Sequence, residues 1–288
     1  MSIKEIDLHS ALKTYFGFSK FKGLQEDVIK SLVAGHNTFV IMPTGGGKSL
    51  CYQLPALIKD GTAIIVSPLI ALMKNQVDAI RAVSQNDGVA HVLNSSLNKT
   101  EVKQVKDDIT NGITKLLYVA PESLTKEEYV DFLRSVTISF MAVDEAHCIS
   151  KWGSSFRKDY EQLKNLGTLF PDSIISAFTA TADEETRVDI NQKLTNGKGK
   201  IFLNKFNRPN LSLAVQEKKS WQKQLLEFLE GRDNQAGIVY CLSQKLTEQC
   251  AEFLQSEGFN AYPFHAGLDS QVKIDTQDKF MTEDNVVV

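Results

Sequence analysis

Short, continuously apolar runs recur along the chain at TFVIM (38–42), AIIVS (63–67), KLLYVA (115–120), FMAVD (140–144), IISAFT (174–179), GIVYC (237–241) and NVVV (285–288). Runs of this kind predict strands covered on both faces, as in a parallel sheet, because a half-exposed strand would alternate apolar and polar residues. Amphipathic stretches lie between them. One is LQEDVIKSLVAG (24–35), which puts Gly35 just past the last turn, where a left-handed residue closes a helix. Strand–helix alternation over this length predicts a doubly wound α/β fold. After the strand-like KIFLN comes Arg208-Pro209-Asn210, which breaks a helix and favours extended chain. A helix-then-strand pattern restarts near Trp221, so we expect a junction near 204–210, with a first domain over 1–205 and a second, smaller piece over 206–288. The last run, VVV, reads as a strand cut at its own end. Ligands in such sheets sit beyond strand C-termini, so a functional loop after Val288 is an expected missing element.

The composition of the 288 residues, 42% hydrophobic and 23% charged, is globular and too apolar for disorder. The longest apolar runs, AIIV and VVV, fall far short of the ~20 residues that span a bilayer. The start, MSIKEIDLHS, lacks the basic-then-apolar order of a secretory signal. Together these predict a soluble, cytoplasmic protein with no membrane partner. With 32 Lys+Arg against 35 Asp+Glu the net charge is −3, which excludes nucleic-acid binding by bulk basicity and leaves it to a local groove. Cys51, Cys148, Cys241 and Cys250 are scattered without zinc spacing, so we expect reduced, mostly buried thiols and no zinc site.

Chemistry enters at TFVIMPTGGGKSL (38–50), a strand followed by a glycine-rich turn, Lys-Ser and a helix-compatible run. Thr44, Gly45, Gly46 and Gly47 let backbone N–H groups face a phosphate at the positive end of the next helix. Lys48 is placed to neutralise the β- and γ-phosphates, and Ser49 to ligate Mg²⁺. Met42 stands where the strict phosphate-loop pattern has glycine, so the match is to the looser T-G-x-G-K-S form. FMAVDEAH (140–147) then delivers two carboxylates and a histidine at a strand end. Asp144 is the expected Mg²⁺ partner, Glu145 the general base for an attacking water, and His147 a coupling residue.

These segments, with SPLIALMKNQV (67–77), YVAPESL (118–124), DEAHCISKWG (144–153), FTATA (178–182), NRPNL (207–211) and FHAGL (264–268), resemble superfamily-two helicases, and within them the RecQ family of DNA helicases. The order of the motifs matches over essentially the whole chain. The resemblance implies a RecA-like parallel sheet flanked by helices, a P-loop NTPase, followed by an incomplete second RecA-like lobe. It implies ATP and Mg²⁺ as cofactors, single-stranded and duplex DNA as partners, and 3′-to-5′ translocation in repair and recombination. By the resemblance FGFSKFKGLQEDVI (16–29) is the adenine motif, with Phe18 and Lys22 sandwiching the base and the Gln25 amide pairing with adenine's N6 and N7. In CISKWGSSFRKDY (148–160), Trp152, Phe156 and Tyr160 alternate with Lys151, Arg157 and Lys158, a pattern in which exposed aromatics stack on unpaired bases and cations track phosphates. Ser67, Asn75, Gln76, Thr179 and Thr181 are expected to contact a DNA backbone or relay between lobes; capping of the following helix is an equal account of Thr181. Ser243, Gln244 and His265 look like strand-end motifs of the second lobe. The family's arginine finger and remaining strands fall past Val288, so this chain alone is expected to bind ATP·Mg²⁺ but hydrolyse it poorly and not unwind duplex. The competing readings are an RNA helicase of the same superfamily, a nucleotide-dependent binding module without motor action, and, least favoured, a P-loop kinase.

Overall fold

The computed structural model describes residues 7–84, 86–94, 97–152, 156–204, 211–232 and 234–288. The chain divides into two compact units, residues 1–208 and 209–288, each described by itself. The expected junction at Arg208-Pro209-Asn210 lies outside the described residues, as do Gly153, Ser154 and Ser155.

The first unit holds strands β1 (Thr38–Ile41), β2 (Thr62–Val66), β3 (Ala90–Leu93), β4 (Leu116–Val119), β5 (Ile138–Val143), β6 (Ile175–Thr179) and β7 (Lys200–Leu203). Its helices are α1 (Leu8–Phe16), α2 (Gln25–Val33), α3 (Lys48–Ile58), α4 (Ile70–Ser84), α5 (Lys99–Thr110), α6 (Glu127–Arg134), α7 (Lys158–Glu161), α8 (Leu166–Leu169) and α9 (Glu184–Thr195). The strands form one sheet in the order β3-β4-β2-β5-β6-β1-β7, every pair parallel.

The unbroken apolar runs have a simple cause. Alternate residues of each strand enter different cores. Phe39, Ile41, Ile64, Val66, Met141 and Val143 pack with Ile109 of α5, Leu133 of α6 and Ile190 of α9. Their neighbours Val40, Ala63, Ile65, Phe140 and Ala142 pack with Leu32 of α2, Tyr52 of α3 and Val77 of α4. Each large aliphatic side chain buried this way contributes about 1.5–3 kcal/mol. Helix α2 ends as expected: Gly35 has φ 88°, and the N–H groups of Gly35 and His36 close on the carbonyls of Leu32 and Ser31.

The second unit contains α10 (Trp221–Leu229), α11 (Gln244–Ser256), β8 (Asn260–Ala261), α12 (Ser270–Thr282) and β9 (Val286–Val287), with β8 and β9 parallel. Leu229, Cys250, Leu254, Ala261 and Val287 form its core. Two strand expectations change. Strand β3 was not anticipated, because His91 interrupts an already short apolar run. The expected strand 237–241 reduces to a bridge between Gly237 and Val287, with the Val239 N–H donating to the Val288 carbonyl at 2.7 Å.

Candidate nucleotide site and nucleic-acid interface

Strands β1 and β5 flank β6, so their C-terminal ends open on the same edge of the sheet, where ligands of such folds are held. The loop leaving β1 turns through Gly45 and Gly47, at φ 78° and 79°, and α3 starts at Lys48. Both glycines occupy the left-handed region that side chains disfavour. A side chain at Gly46 would meet the Pro43 carbonyl at 2.9 Å, and one at Gly47 would overlap the Gln25 amide. The loop is thus as closely wrapped as a phosphate cradle requires. Lys48 Nζ donates to the Met42 carbonyl at 3.1 Å, folded back over its own loop. Thr44 and Gly45 are exposed, and Ser49 is partly buried in the first turn of α3.

Gln25, the adenine candidate, is 4% exposed and turned inward. Its Oε1 accepts from the Lys22 N–H at 2.8 Å, and its Nε2 donates to the Gly47 carbonyl at 3.3 Å and the Gly46 carbonyl at 3.5 Å. The amide therefore braces the glycine loop. Phe18 is 54% exposed and Lys22 is exposed, as a base sandwich requires.

The second half of the site leaves β5. Asp144 is 7% exposed; its Oδ1 accepts from the Glu145 N–H at 2.9 Å and its Oδ2 from the Tyr52 hydroxyl at 3.2 Å. Burial first, then the adjacent Glu145 carboxylate, push the Asp144 carboxyl up to about 6. Tyr52 sits one turn after Lys48 on α3, so the helix that begins at the phosphate loop also reaches the acidic strand end. Glu145 has φ 47°, a left-handed conformation that is costly for a side chain other than Gly, Asn or Asp. It starts a single 3₁₀ turn carrying His147.

His147 Nδ1 lies 2.9 Å from Thr179 Oγ1 and 3.3 Å from Glu145 Oε2. Thr179 Oγ1 donates its proton to the Thr181 carbonyl at 3.0 Å, so it accepts from His147, and the proton of the neutral ring sits on Nδ1. Glu145, His147 and Thr179 thus form one connected group across β5 and β6. Thr179 is fully buried, which makes it a link to His147 rather than a DNA contact. Thr181 is exposed, and α9 is capped by Asp183, not by Thr181. Ser67 is 2% exposed, and its buried Oγ has no hydrogen-bond partner.

Past His147 the chain presents Trp152, 69% exposed, with Lys151, Arg157 and Lys158 also exposed and Phe156 partly so. Lys151 Nζ lies 5.7 Å from the Phe156 ring centroid, and Arg157 donates to the Pro68 carbonyl at 3.4 Å. Tyr160 departs from the expectation of an exposed aromatic. It is fully buried, and its hydroxyl donates to the Asp144 carbonyl at 3.0 Å, supporting the acidic strand end from beneath. On α4, Asn75 is exposed, whereas Gln76 is half-buried with its Oε1 held by Gln53 Nε2 at 2.7 Å. In the second unit Ser243 caps α11 by accepting from the Leu246 N–H, and Gln244 begins that helix. His265 Nδ1 accepts from the Gly267 N–H at 3.2 Å, and its Nε2 lies 3.2 Å from Glu248.

Among the described residues no group of three or more His, Cys, Asp or Glu is placed to hold a metal ion, and no helix is long and apolar enough to cross a membrane. A glycine-rich loop opening a helix, beside an acidic pair at the end of a second strand of one parallel sheet, defines the P-loop class of nucleotide-binding proteins.

Residues 22–190 match the family model for the DEAD/DEAH box helicase, and the chain belongs to that family. It is similar to the ATP-dependent DNA helicase RecQ of Pasteurella multocida, with 42% identity over 277 residues covering 96% of this chain and 43% of that protein. The RecQ of Bacillus subtilis is 37% identical over 277 residues, covering 96% of this chain and 46% of its own. The chain thus spans less than half the length of these curated relatives. A DEAD box protein from the hyperthermophile Methanococcus jannaschii shares the RecA-like helicase fold at a TM-score of 0.56 and 19% identity, over 99% of this chain and 78% of its own.

Proposed function

We propose that this chain is the nucleotide-binding part of an ATP-dependent DNA helicase of RecQ type, with residues 1–205 as the first RecA-like lobe and 206–288 as the beginning of the second. The carrying observation is the buried Asp144 carboxylate beside Glu145, tied through Tyr52 to the helix that opens at the phosphate loop. A carboxylate raised to about 6, with no ion-pair partner among the described residues, is matched by an incoming cation. Asp144 and Ser49 would hold magnesium, which supplies neutralisation of phosphate charge when bound.

The chain's own residues do the rest. Lys48 exchanges the Met42 carbonyl for phosphate oxygens, and the glycine-loop N–H groups receive the remaining charge. Glu145 accepts a proton from the attacking water, and His147 ties it to Thr179 on β6. Phe18 and Lys22 flank adenine, and Gln25 recognises its edge once its amide exchanges the Lys22 N–H and the Gly46 and Gly47 carbonyls for the base. Trp152, Phe156 and Arg157, with Asn75, Gln76 and Thr181, form the single-strand face of the first lobe; Ser243, Gln244 and His265 are the candidate nucleic-acid contacts of the second.

The test is nucleotide affinity and turnover with single-stranded DNA, with RNA and with neither. DNA should stimulate in preference to RNA, and Lys48→Ala should weaken nucleotide binding by on the order of 10²-fold, the effect of removing one preorganised donor from a charged site. Equal stimulation by RNA, or full binding by Lys48→Ala, contradicts the reading.

A further inference from the structure

Cys51, Cys148, Cys241 and Cys250 are all free thiols, and two of them come together in the second unit. Cys241 ends the apolar run GIVYC, and Ser243 caps α11 two residues later. So short a turn folds the helix back over the run that precedes it. On α11 the residues Cys250, Ala251 and Leu254 are buried together on one face. That face brings Cys250 into the core against which Cys241 also packs. Both cysteines line one cavity of about 10 Å³, with Thr247, Leu254 and Val287 on its wall. A space of that size holds no more than about one water. The two thiols are near neighbours.

They differ in access. Cys250 is 5% exposed, whereas Cys241 is partly exposed and stands between Tyr240 and Leu242, which are 92% and 100% exposed. Both also line a wide, open cavity of about 770 Å³, so solvent reaches the pair from that side. Burial, followed by the charge of the neighbouring Cys241, pushes the Cys250 thiol up to about 11. Cys241 Sγ donates to the Val239 carbonyl at 3.9 Å, a weak contact that is readily given up. An oxidant arriving from solvent meets Cys241 first and finds Cys250 behind it. Packing alone would be met by Ala or Val at either position.

We propose that Cys241 and Cys250 form an oxidation site, in which a peroxide converts Cys241 to a sulfenic acid and Cys250 closes it to a disulfide. In the first step the Cys241 thiolate attacks hydrogen peroxide; an S–O bond forms, the O–O bond breaks and hydroxide leaves, so the sulfur is oxidised and the peroxide reduced. In the second, the Cys250 sulfur attacks the sulfenic sulfur; the S–S bond forms, the S–O bond breaks, and the departing oxygen takes the Cys250 proton and leaves as water. Two thiols and one peroxide thus give one disulfide and two waters. Cys250 offers little thiolate for the second step, and its fixed place beside Cys241 offsets that by proximity. The bond staples the apolar run to α11 on either side of Ser243 and Gln244. A dithiol reductant reverses it by exchange. None of these steps needs a nucleotide, so the inference stands apart from the function proposed above.

The experiment treats the unaltered chain with hydrogen peroxide at a dose that oxidises free cysteine in the same buffer. Remaining thiols are then alkylated under denaturing conditions and counted by intact mass and a peptide map. Two of the four thiols should be lost to alkylation, with a cross-linked peptide joining Cys241 to Cys250 within one chain. Dithiothreitol should restore all four. Cys250→Ala removes the closing thiol, so oxidation should stop at Cys241 as a sulfenic acid that dimedone captures, whereas the unaltered chain should give little such adduct. Cys241→Ala should leave Cys250 unreacted at the same dose. Four thiols still alkylated after peroxide, a disulfide that maps to Cys51 or Cys148 or joins two chains, or a lasting dimedone adduct on Cys241 of the unaltered chain overturns the inference. Where a variant fails to fold, the peptide map of the unaltered chain decides by itself.

Discussion

Among the described residues of the first unit two carboxylates are buried, Asp108 and Asp144, and they are treated in opposite ways. Asp108, on α5, is 8% exposed; its Oδ2 meets His91 Nε2 at 2.8 Å and its Oδ1 accepts from Gln104 Nε2 at 2.8 Å. Arg81 on α4 supplies the positive charge, its Nη2 donating to His91 Nδ1 at 3.1 Å and its Nε to the Ala90 carbonyl at 2.9 Å. The fold answers that acid completely. Asp144 is buried to the same degree but receives one hydroxyl and one backbone N–H, with a second carboxylate next to it. A charge that only holds helices together is neutralised by its neighbours, whereas a charge left short of partners is available to a ligand.

The largest effect that would sharpen this contrast comes from Asp108→Ala. Removing one member of a buried charged group strands the rest, so chemical denaturation should show a loss of about 3–5 kcal/mol, with nucleotide affinity of the folded protein retained. Asp144→Asn should do the reverse. A carboxyl raised from 3.8 to about 6 disfavours its charged form in the fold, so the neutral amide should stabilise the ligand-free protein at pH 7. Two pH units correspond to at most about 3 kcal/mol, read as a higher melting temperature together with loss of ATP turnover. A destabilised Asp144→Asn would break the comparison.

The smallest effect is in acid. Burial, followed by the Arg81 charge, holds the His91 imidazole below its usual value, against the pull of Asp108. The unfolded chain therefore binds this proton more readily than the folded one. The contribution is complete above about pH 6.5 and fades as pH falls through the folded-state value, so denaturant midpoints should drop on acidification. His91→Gln should flatten that part of the profile. An unchanged slope would show that His91 is not its source.

What the sequence made legible was local. The glycine loop and Asp-Glu-Ala-His are contiguous, their chemistry depends on the order of neighbours, and the continuous apolar strands announced a two-sided sheet. What it concealed joins distant positions. Tyr52 reaches Asp144 across 92 residues and Thr38 reaches Ser176 across 138, separations that no local period encodes. Tyr160 shared the alternating pattern of Trp152 and Phe156, but spacing in a loop does not fix which aromatic turns inward; the carbonyl of Asp144 did. Gln25 had the amide that adenine recognition needs, and its present grip on the glycine loop depends on a fold that brings residues 25 and 47 together.

Among the described residues other than glycine with positive φ, Asn196 and Asn285 are of the type that accepts such a backbone readily, and Glu145 is not. An ordinary hairpin or helix end in that conformation would be occupied by glycine or asparagine, and the polypeptide would rest more easily for it. Neither replacement carries a carboxylate. The kink at the end of β5 is thus a standing tension that the surrounding sheet absorbs, and a carboxylate is kept at that bend at the backbone's expense.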